Sequence, residues 1–337
     1  MNESELYLRP LSACHARLRV QGPDARRFLH GMVSNDIQGL KTGQGCHACL
    51  LSVKGKLIGD PIVYDCGEAG LLLSMVAAAR AGVYASLDRH LIMDNAAVED
   101  LTHALAELAV YGREAAAALA DLTPLGSAAD LQALPRHGLL SRGLLGGPDS
   151  PPGSFCAIAA APPLRADEPA FHVHADPAQI AALRAALLTR GARERSEAEA
   201  DLLRIESGIP EYGRDLDEDR RPAEAGLDDA VSYNKGCYLG QEVVVRLRDR
   251  GHLNRKLCGL RIADDGPVPP AGSKLRSADK PQAGSITSTA RSPRFGTIAL
   301  AYVHRTAWDV GTRLELLAPD DQPTGRTAVL CALPFAN

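Results

Sequence analysis

One short stretch of the chain combines more kinds of reactive side chain than folding alone would need. In chain order its residues are Lys235, Gly236, Cys237, Tyr238, Leu239, Gly240, Gln241 and Glu242. Glycine permits positive φ and a close approach of the backbone, and a thiol can act as a nucleophile when it ionises. The stretch therefore predicts a site at which backbone, thiol and charge meet.

Cys237 is the side chain in this stretch with the clearest chemical potential. It lies two residues after Lys235 and just before residues 243–246, which are predicted to be helical. A helix N-terminus offers unpaired amides and a partial positive charge to an anion. A nearby cation and a helix start both favour thiolate over thiol. Cys237 is thus a candidate for a reactive thiol with a lowered pKa, and the alternative is a small buried residue in a turn.

Composition limits the classes of function that the chain can have. Its 337 residues allow two or three domains. A net charge of -4 and only 4% aromatic residues argue against a nucleic-acid binder. The N-terminus lacks the basic start and apolar run of a secretory signal, and no run approaches the ~20 apolar residues of a membrane helix. Its eight scattered cysteines are typical of reduced thiols. We expect a cytoplasmic monomer that binds neither membranes nor nucleic acid.

Periodicity predicts a mixed architecture for the first two thirds of the chain. The predicted strands are 16–20, 46–53, 57–64, 71–76, 104–111 and 171–175, and the predicted helices are one that begins at Asp24 and those at 77–93, 113–122, 177–190 and 196–209. Val83, Leu87, Leu91 and Ile92 should form the apolar face of helix 77–93. Residues 143–163, rich in Gly, Pro and Ser, are expected to form a surface connection.

The sequence pattern changes from Lys256 onward. Short β-type runs alternate with Pro and Gly turns, at 257–262, 284–290, 297–303, 313–317 and 328–333. This pattern indicates a small all-β barrel or sandwich. We place the domain boundary near residues 251–255, which gives a region 1–250 and a C-terminal domain 251–337.

The stretch 235–242, followed by Arg246, resembles the signature of the YgfZ family. These are folate-binding relatives of the glycine-cleavage T-protein (aminomethyltransferase) that are implicated in assembly and repair of iron–sulfur enzymes. Other segments that resemble the family are 19–25, 28–31, 34–37, 50–56, 204–210, 284–288 and 299–303. The resemblance thus covers nearly the whole chain.

The resemblance implies an α+β fold with a T-protein-like three-domain architecture. Two intertwined α/β subdomains within 1–250 and an antiparallel β-barrel in 251–337 would surround a central channel. The implied cofactor in that channel is tetrahydrofolate or a one-carbon derivative of it.

Glu206 is the best candidate for pterin binding. A pterin presents two adjacent donors on its aminopyrimidine edge, and a carboxylate matches them with two parallel hydrogen bonds. The resemblance puts the folate-binding carboxylate at this position, while the alternative is a solvated helix residue. The resemblance also makes Lys235, Tyr238 and Gln241 candidates for one wall of the channel, with Arg246 nearby.

Asp60 marks a departure from the aminomethyltransferases, which carry a paired Asp-Asp in this region. Here the pair is reduced to Gly59-Asp60. The remaining carboxylate could assist one-carbon chemistry near the folate, or it could be a structural residue at a strand end. The departure weakens the case for aminomethyl transfer itself.

Three functions follow from these residues. The first is a tetrahydrofolate-binding factor that supports assembly or repair of iron–sulfur clusters in client enzymes, with Cys237 contacting a cluster, a persulfide or a partner. The alternative is a folate-dependent aminomethyl or methyl transferase, which needs a carboxylate but no thiol. A third is an interaction module with a vestigial folate pocket.

Weaker signals have simpler explanations. The basic run 235–256 and the acidic run 211–229 could neutralise each other, or the basic run could attract the glutamate tail of folate or an acidic partner. Cys46 and Cys49 form a C-x-x-C, but a strand sends positions three apart to opposite faces. His172 and His174 share a strand face without an obvious third zinc ligand. We predict no metal site and, without a Walker A or G-x-G-x-x-G motif, no nucleotide site.

Overall fold

The computed structural model describes residues 6–142, 156–165, 168–263, 266–278 and 280–336. Its contacts divide the chain into two compact units. Unit 1 comprises Met1–Val53, Ile58–Ser196 and Asp229–Leu239, and unit 2 comprises Lys54–Leu57, Glu197–Asp228 and Gly240–Asn337. Among the described residues, no helix has the length and apolarity needed to cross a bilayer.

Among its described residues, unit 1 has two main antiparallel-rich sheets, a two-stranded sheet and five α-helices. Its strands are β1 (Tyr7–Pro10), β2 (His15–Gln21), β3 (Gly45–His47), β4 (Leu50–Leu51), β5 (Leu57–Gly59), β6 (Ile62–Asp65), β7 (Leu71–Val76), β8 (Ala97–Asp100), β9 (Ala106–Tyr111), β10 (Leu139–Arg142), β11 (Cys156–Ala161), β12 (Ala170–Ala175) and β13 (Arg193–Glu194). The first residue of β5, Leu57, belongs to unit 2. Its helices are α1 (Ala25–Met32), α2 (Ala77–His90), α3 (Ala115–Leu122), α4 (Ala128–Gln132) and α5 (Pro177–Thr189).

The two main sheets of unit 1 interleave along the chain. One has six strands in the order β10-β11-β12-β9-β1-β13, and the other has five in the order β3-β6-β7-β2-β8. Strands β4 and β5 form a separate two-stranded sheet. The apolar residues of α1 explain its orientation, because Phe28, Leu29 and Met32 recur at helical spacing and are all buried.

Unit 2 consists of a closed barrel and two helices. Its elements are α6 (Glu197–Glu206), α7 (Gln241–Arg250), β14 (Arg255–Ile262), β15 (Lys274–Arg276), β16 (Gly284–Ser292), β17 (Gly296–His304), β18 (Arg313–Leu317) and β19 (Pro323–Cys331). The barrel closes in the order β14-β17-β16-β15-β18-β19. The inward side chains of the barrel, such as Leu260, Ile286 and Leu314, form one apolar core. The mixed α+β fold with a C-terminal antiparallel barrel is as predicted from the sequence.

Two sequence predictions need correction, and one strand was not predicted. The pair predicted at 46–53 and 57–64 is split into β3–β6 and β4–β5, because Pro61 has no N–H to continue a ladder. The helix predicted at 77–93 ends at His90, where Leu91 leaves helical geometry with ψ 75°, so Ile92 is 82% exposed rather than on the apolar face. Strand β15 has only three residues and gave no clear periodic signal.

The connection predicted at 143–163 is also partly wrong. Residues 143–155 lie outside the described residues, but Cys156–Ala161 form strand β11 between β10 and β12. Ala157, Ile158 and Ala159 are fully buried. The many small side chains of β11 give this segment the composition of a loop, but they fit a close-packed sheet.

A buried charged cluster joins the two sheets of unit 1. The carboxylate of Glu107 on β9 is fully buried. Around it lie His15 and Arg17 on β2, Ser74 on β7, and His172 and His174 on β12. The distances to Glu107 are 2.8 Å from His172 Nδ1, 3.3 Å from His15 Nδ1 and 3.6 Å from Arg17 Nη1. The paired histidines therefore serve a buried carboxylate, and no group of ligands suited to a metal occurs among the described residues.

The same cluster makes stability depend on pH. Burial alone would raise the pKa of Glu107, but the nearby histidines outweigh it and hold that pKa well below its ordinary value. Burial lowers the pKa of His174 to about 4. Both groups bind protons more readily in the unfolded chain, so acid favours unfolding. The window runs from about pH 6.5, the ordinary histidine value, down to the folded pKa near 4.

We expect the free energy of unfolding, measured in urea, to fall as the pH is lowered from 7 to 4.5. His174→Asn should reduce the slope by about 1 kcal/mol per pH unit, because one buried proton acceptor is lost. His90→Asn, at an exposed position, is the matched control and should leave the slope unchanged. Equal slopes for wild type and His174→Asn would contradict this assignment.

Candidate functional site

The residues predicted to carry function fall in both units. Lys235, Cys237, Tyr238 and Asp60 belong to unit 1, and the division of the chain after Leu239 places Gln241, Glu206 and Arg246 in unit 2.

Lys235 anchors the backbone that follows α1. Its Nζ donates to the carbonyls of Val33 at 2.7 Å and Asn35 at 3.0 Å, and to that of His30. An ammonium has three N–H donors, so these carbonyls use all of them. The Nζ also lies 5.1 Å from the centre of the Tyr238 ring, within cation–π range.

Burial lowers the pKa of Lys235 to about 8, and the nearby charge of Asp36 opposes this shift. The group is therefore still mostly protonated at pH 7. In this geometry Lys235 holds the turn 30–35, and its assignment to ligand binding stays a prediction.

The rest of the stretch presents its thiol to solvent. Cys237 is exposed, whereas the neighbouring Tyr238 is only 7% exposed. Leu239 N–H donates to Gly31 O at 3.1 Å and fixes the end of the segment. Gly240 has φ 82° as expected, but Gly236 is outside the left-handed region, and nothing lies within 4 Å of a Cβ built on it. Gly240 thus uses the positive φ that glycine permits, whereas Gly236 does not.

Asn35 connects this segment to the strand that follows. Its Nδ2 donates to His47 O at 2.8 Å and to Asp229 O at 3.1 Å. Since Lys235 holds the carbonyl of Asn35 itself, the lysine fixes the backbone of the residue that in turn contacts His47.

Asp60 follows β5 and contacts a histidine. His47 Nε2 lies 3.2 Å from Asp60 Oδ2 and 3.1 Å from Asp60 O. The two side chains are 17% and 16% exposed, so both are accessible to a small molecule. His47 was not predicted from the sequence as a site residue. It lies within the C-x-x-C, between Cys46 and Cys49.

The structure explains why position 59 carries no acid. A Cβ on Gly59 would lie 2.5 Å from Val83 Cγ2 and 3.1 Å from Ala79 Cβ. Helix α2 therefore closes this position to any side chain. The Gly59-Asp60 departure has a packing cause, and Asp60 remains beside the space that the helix leaves.

Glu206 is buried at the end of α6. Its side chain is 8% exposed, and Oε2 lies 3.9 Å from Arg294 Nη1. Oε1 accepts a hydrogen bond from Ser292 Oγ, and the backbone carbonyl of Glu206 accepts from Phe335 N–H at 2.9 Å. Glu206 is therefore not the solvated helix residue of the alternative interpretation.

Ser292 fixes the direction of this contact. The amides of Arg294 and Phe295 donate to Ser292 Oγ, each at 3.0 Å. A hydroxyl has two acceptor lone pairs and one proton. With both lone pairs engaged, the proton points to Glu206.

A second network lies next to Glu206 on α6. Arg204 Nη1 donates to Asp215 Oδ2 at 2.7 Å, and Arg204 Nη2 donates to Ser288 Oγ at 2.9 Å. Ser288 Oγ in turn donates to Asp215 Oδ1 at 2.8 Å. Arg204 and Asp215 are 6% and 1% exposed. The segments 204–210 and 284–288 carried the resemblance, and the structure shows that they meet.

Helix α7 forms as predicted and displays its charges. Arg246 is 69% exposed and pairs with Glu242 at 2.5 Å, one helical turn before it. Gln241 is the first residue of the helix. Arg255 contacts Glu224 at 3.3 Å, so mutual neutralisation of the basic and acidic runs is confirmed for this pair.

Both thiols of the C-x-x-C are held in the neutral form. Burial raises the pKa of Cys46 to about 12, and burial also raises the pKa of the fully buried Cys49. Both therefore remain thiols at neutral pH.

Comparison with known proteins identifies the family. The GCVT N-terminal domain matches residues 12–137, and the glycine cleavage T-protein C-terminal barrel domain matches residues 255–336. An aminomethyltransferase from Rubrobacter xylanophilus is 33% identical over 291 residues, which span 84% of this chain and 72% of the relative. The chain belongs to the glycine-cleavage T-protein family.

Two further matches extend over most of this chain. An aminomethyltransferase from Saccharopolyspora erythraea is 29% identical and covers 94% of this chain and 83% of its own length. The crystal structure of the glycine cleavage system aminomethyltransferase T from Bartonella henselae has a TM-score of 0.82 at 24% identity. It covers 99% of this chain and 87% of its own. The likeness to that structure shows the T-protein fold.

We expect Lys235→Met to lower the free energy of unfolding by about 2 kcal/mol, because three carbonyls lose their donor in a half-buried site. Urea denaturation measures this value. Lys41→Met, at an exposed lysine of the same unit, should change it by less than about 0.5 kcal/mol. Equal effects of the two substitutions would show that Lys235 does not anchor the 30–35 turn.

Proposed function

We propose that this T-protein family member binds tetrahydrofolate, or a one-carbon derivative of it, and transfers an aminomethyl or related one-carbon group. The observation that carries the proposal is the Glu206 carboxylate, which is buried and oriented by Ser292. The relatives named aminomethyltransferase support the choice of reaction. This choice reverses the order of the first two functions that the sequence suggested.

Glu206 would anchor the pterin. Each carboxylate oxygen has two lone-pair sites. Oε1 uses one for Ser292, and Oε2 has only the long contact to Arg294. Both oxygens therefore retain acceptor capacity for the two adjacent donors of the aminopyrimidine edge. The hydrogen bond from Ser292 already holds the Glu206 side chain in one orientation. Less rotamer freedom is therefore lost when a ligand binds.

Asp60 would act on the reacting part of the folate, as the acid or carboxylate that handles a proton. Tyr238, Gln241 and Arg246 are proposed contacts of the same ligand, with Arg246 suited to its glutamate tail. Lys235, whose three N–H donors are engaged by carbonyls, is proposed to support ligand binding by holding the 30–35 turn. Tetrahydrofolate itself supplies the nitrogen that carries the one-carbon group. We further propose the domain division 1–250 and 251–337, a cytoplasmic location and a monomeric state.

A second function is favoured by Cys237. The thiol is exposed within the segment that resembles the YgfZ signature, and one-carbon transfer gives it no task. A YgfZ-like protein would use this thiol to contact an iron–sulfur cluster, a persulfide or a client enzyme. The comparisons favour the transferase over this function.

Calorimetry with tetrahydrofolate tests the pterin anchor. Glu206→Gln should weaken binding by about 10- to 100-fold, since hydrogen bonds to a charged group contribute about 1.5–3 kcal/mol. Ser292→Ala should weaken it less, by about 3- to 10-fold. Glu197→Gln, on the same helix with an exposed side chain, should bind like wild type. If wild type binds no folate, the pocket is vestigial and the proposed function fails.

A second experiment separates the two functions through Cys237. Purified protein should transfer a one-carbon group from an aminomethyl donor to tetrahydrofolate, and Cys237→Ser should keep at least half of that activity. Cys331→Ser is the matched control, at a half-buried thiol. The iron–sulfur function would instead be supported if wild type shows no turnover but restores iron–sulfur enzyme activity in a deletion strain, and Cys237→Ser alone loses that rescue.

A further inference from the structure

The contact between His47 and Asp60 has a defined direction. Nε2 lies within hydrogen-bond distance of two oxygens of Asp60, the backbone carbonyl at 3.1 Å and carboxylate Oδ2 at 3.2 Å. A carbonyl oxygen can only accept. A hydrogen bond to that carbonyl requires the ring proton on Nε2, where both oxygens of Asp60 lie within reach of it.

The backbone around the pair is held from several sides. Strand β3 pairs with β6, with His47 opposite Ile62, and Ala48 N–H donates to Pro61 O at 3.0 Å. Asn35 Nδ2 donates to His47 O at 2.8 Å. These contacts fix both ends of the short connection that carries Asp60. The imidazole is thus presented to Asp60 by the fold rather than by chance rotation of a surface side chain.

Two neighbours of the pair stay uncharged at neutral pH. Burial raises the pKa of the Cys49 thiol, on which Asp60 acts electrostatically, and lowers the pKa of His137, on which His47 acts, to about 3. Arg136 and Asp229 also act electrostatically on His137. Helix α2 closes position 59 to any second acid.

We propose that His47 is a positioning residue for Asp60, which it orients and stabilises in the carboxylate form through the Nε2–H donor. This inference rests on the proposed function, in which Asp60 handles a proton of the one-carbon reaction. A carboxylate held by one directed donor keeps its second oxygen turned to the substrate.

Two variants separate the hydrogen-bond donor of His47 from the positive charge that an imidazole can carry. His47→Gln carries an amide N–H that can take the place of Nε2–H but cannot become a cation. Its kcat should stay within about 3-fold of wild type, while the dependence of kcat on pH between 5 and 8 should become weaker. His47→Phe keeps the ring size without a donor, and its kcat should fall by about 10- to 100-fold with the KM for folate within about 3-fold.

A double variant and a control complete the kinetic test. Asp60→Asn should lose kcat to a similar degree, and His47→Phe combined with Asp60→Asn should be no slower than Asp60→Asn alone, because the two residues act as a unit. His90→Gln, on the exposed end of α2, should behave as wild type. Additive losses, or full activity in His47→Phe, would overturn the proposal.

The position of the proton can be measured without any turnover. Nitrogen-15 NMR of wild type should show a protonated Nε2 and an unprotonated Nδ1 for His47 at pH 8. Asp60→Asn should change the signal of Nε2, and His90→Gln should not. A His47 proton on Nδ1 would overturn the inference even if the enzyme is active. A correct tautomer in a protein that neither binds nor turns over folate would instead show that the pair exists and that the proposed function is wrong.

Discussion

The three hydrogen bonds from the Lys235 ammonium to backbone carbonyls are the contact on which the arrangement of the site in unit 1 depends. They fix the turn after α1, which places Asn35. Asn35 holds the backbone of His47, and His47 contacts Asp60. A cation that saturates its donors on carbonyls is costly to remove, because the acceptors would lose their partner in a half-buried place. The lysine that begins the most unusual stretch of the sequence thus shapes a carboxylate site nearly two hundred residues earlier in the chain.

The Glu107 cluster shows a second use of buried charge. A buried ion pair gains little net stability, since desolvation offsets the attraction, but losing one partner is expensive. Glu107 receives contacts from both main sheets of unit 1. A change in the register of either sheet would therefore leave its buried charge without a partner. The cluster therefore specifies how the sheets combine. This role explains two histidines that could otherwise be taken for metal ligands.

In unit 2, side chains of the barrel orient residues on α6. Ser292 is the last residue of β16, and the two amides of the following turn occupy its lone pairs. The direction of its proton towards Glu206 is a consequence of the hairpin. Arg204 is held in the same way by Ser288 and by the buried Asp215. Hydroxyls of one strand thus determine how a cation and a carboxylate two residues apart on a helix are presented.

Most helices and strands and an all-β C-terminal domain could be predicted from the sequence, because periodic burial is written into local spacing. The resemblance added the α+β class and the barrel, and residue type together with the resemblance pointed to Glu206, Asp60 and the 235–242 stretch. The folded chain was needed to show that Lys235 binds carbonyls, that His47 contacts Asp60 and that Gly59 has no room for a side chain. These facts depend on contacts between segments distant in the chain, and no local pattern records which side chains will face one another there.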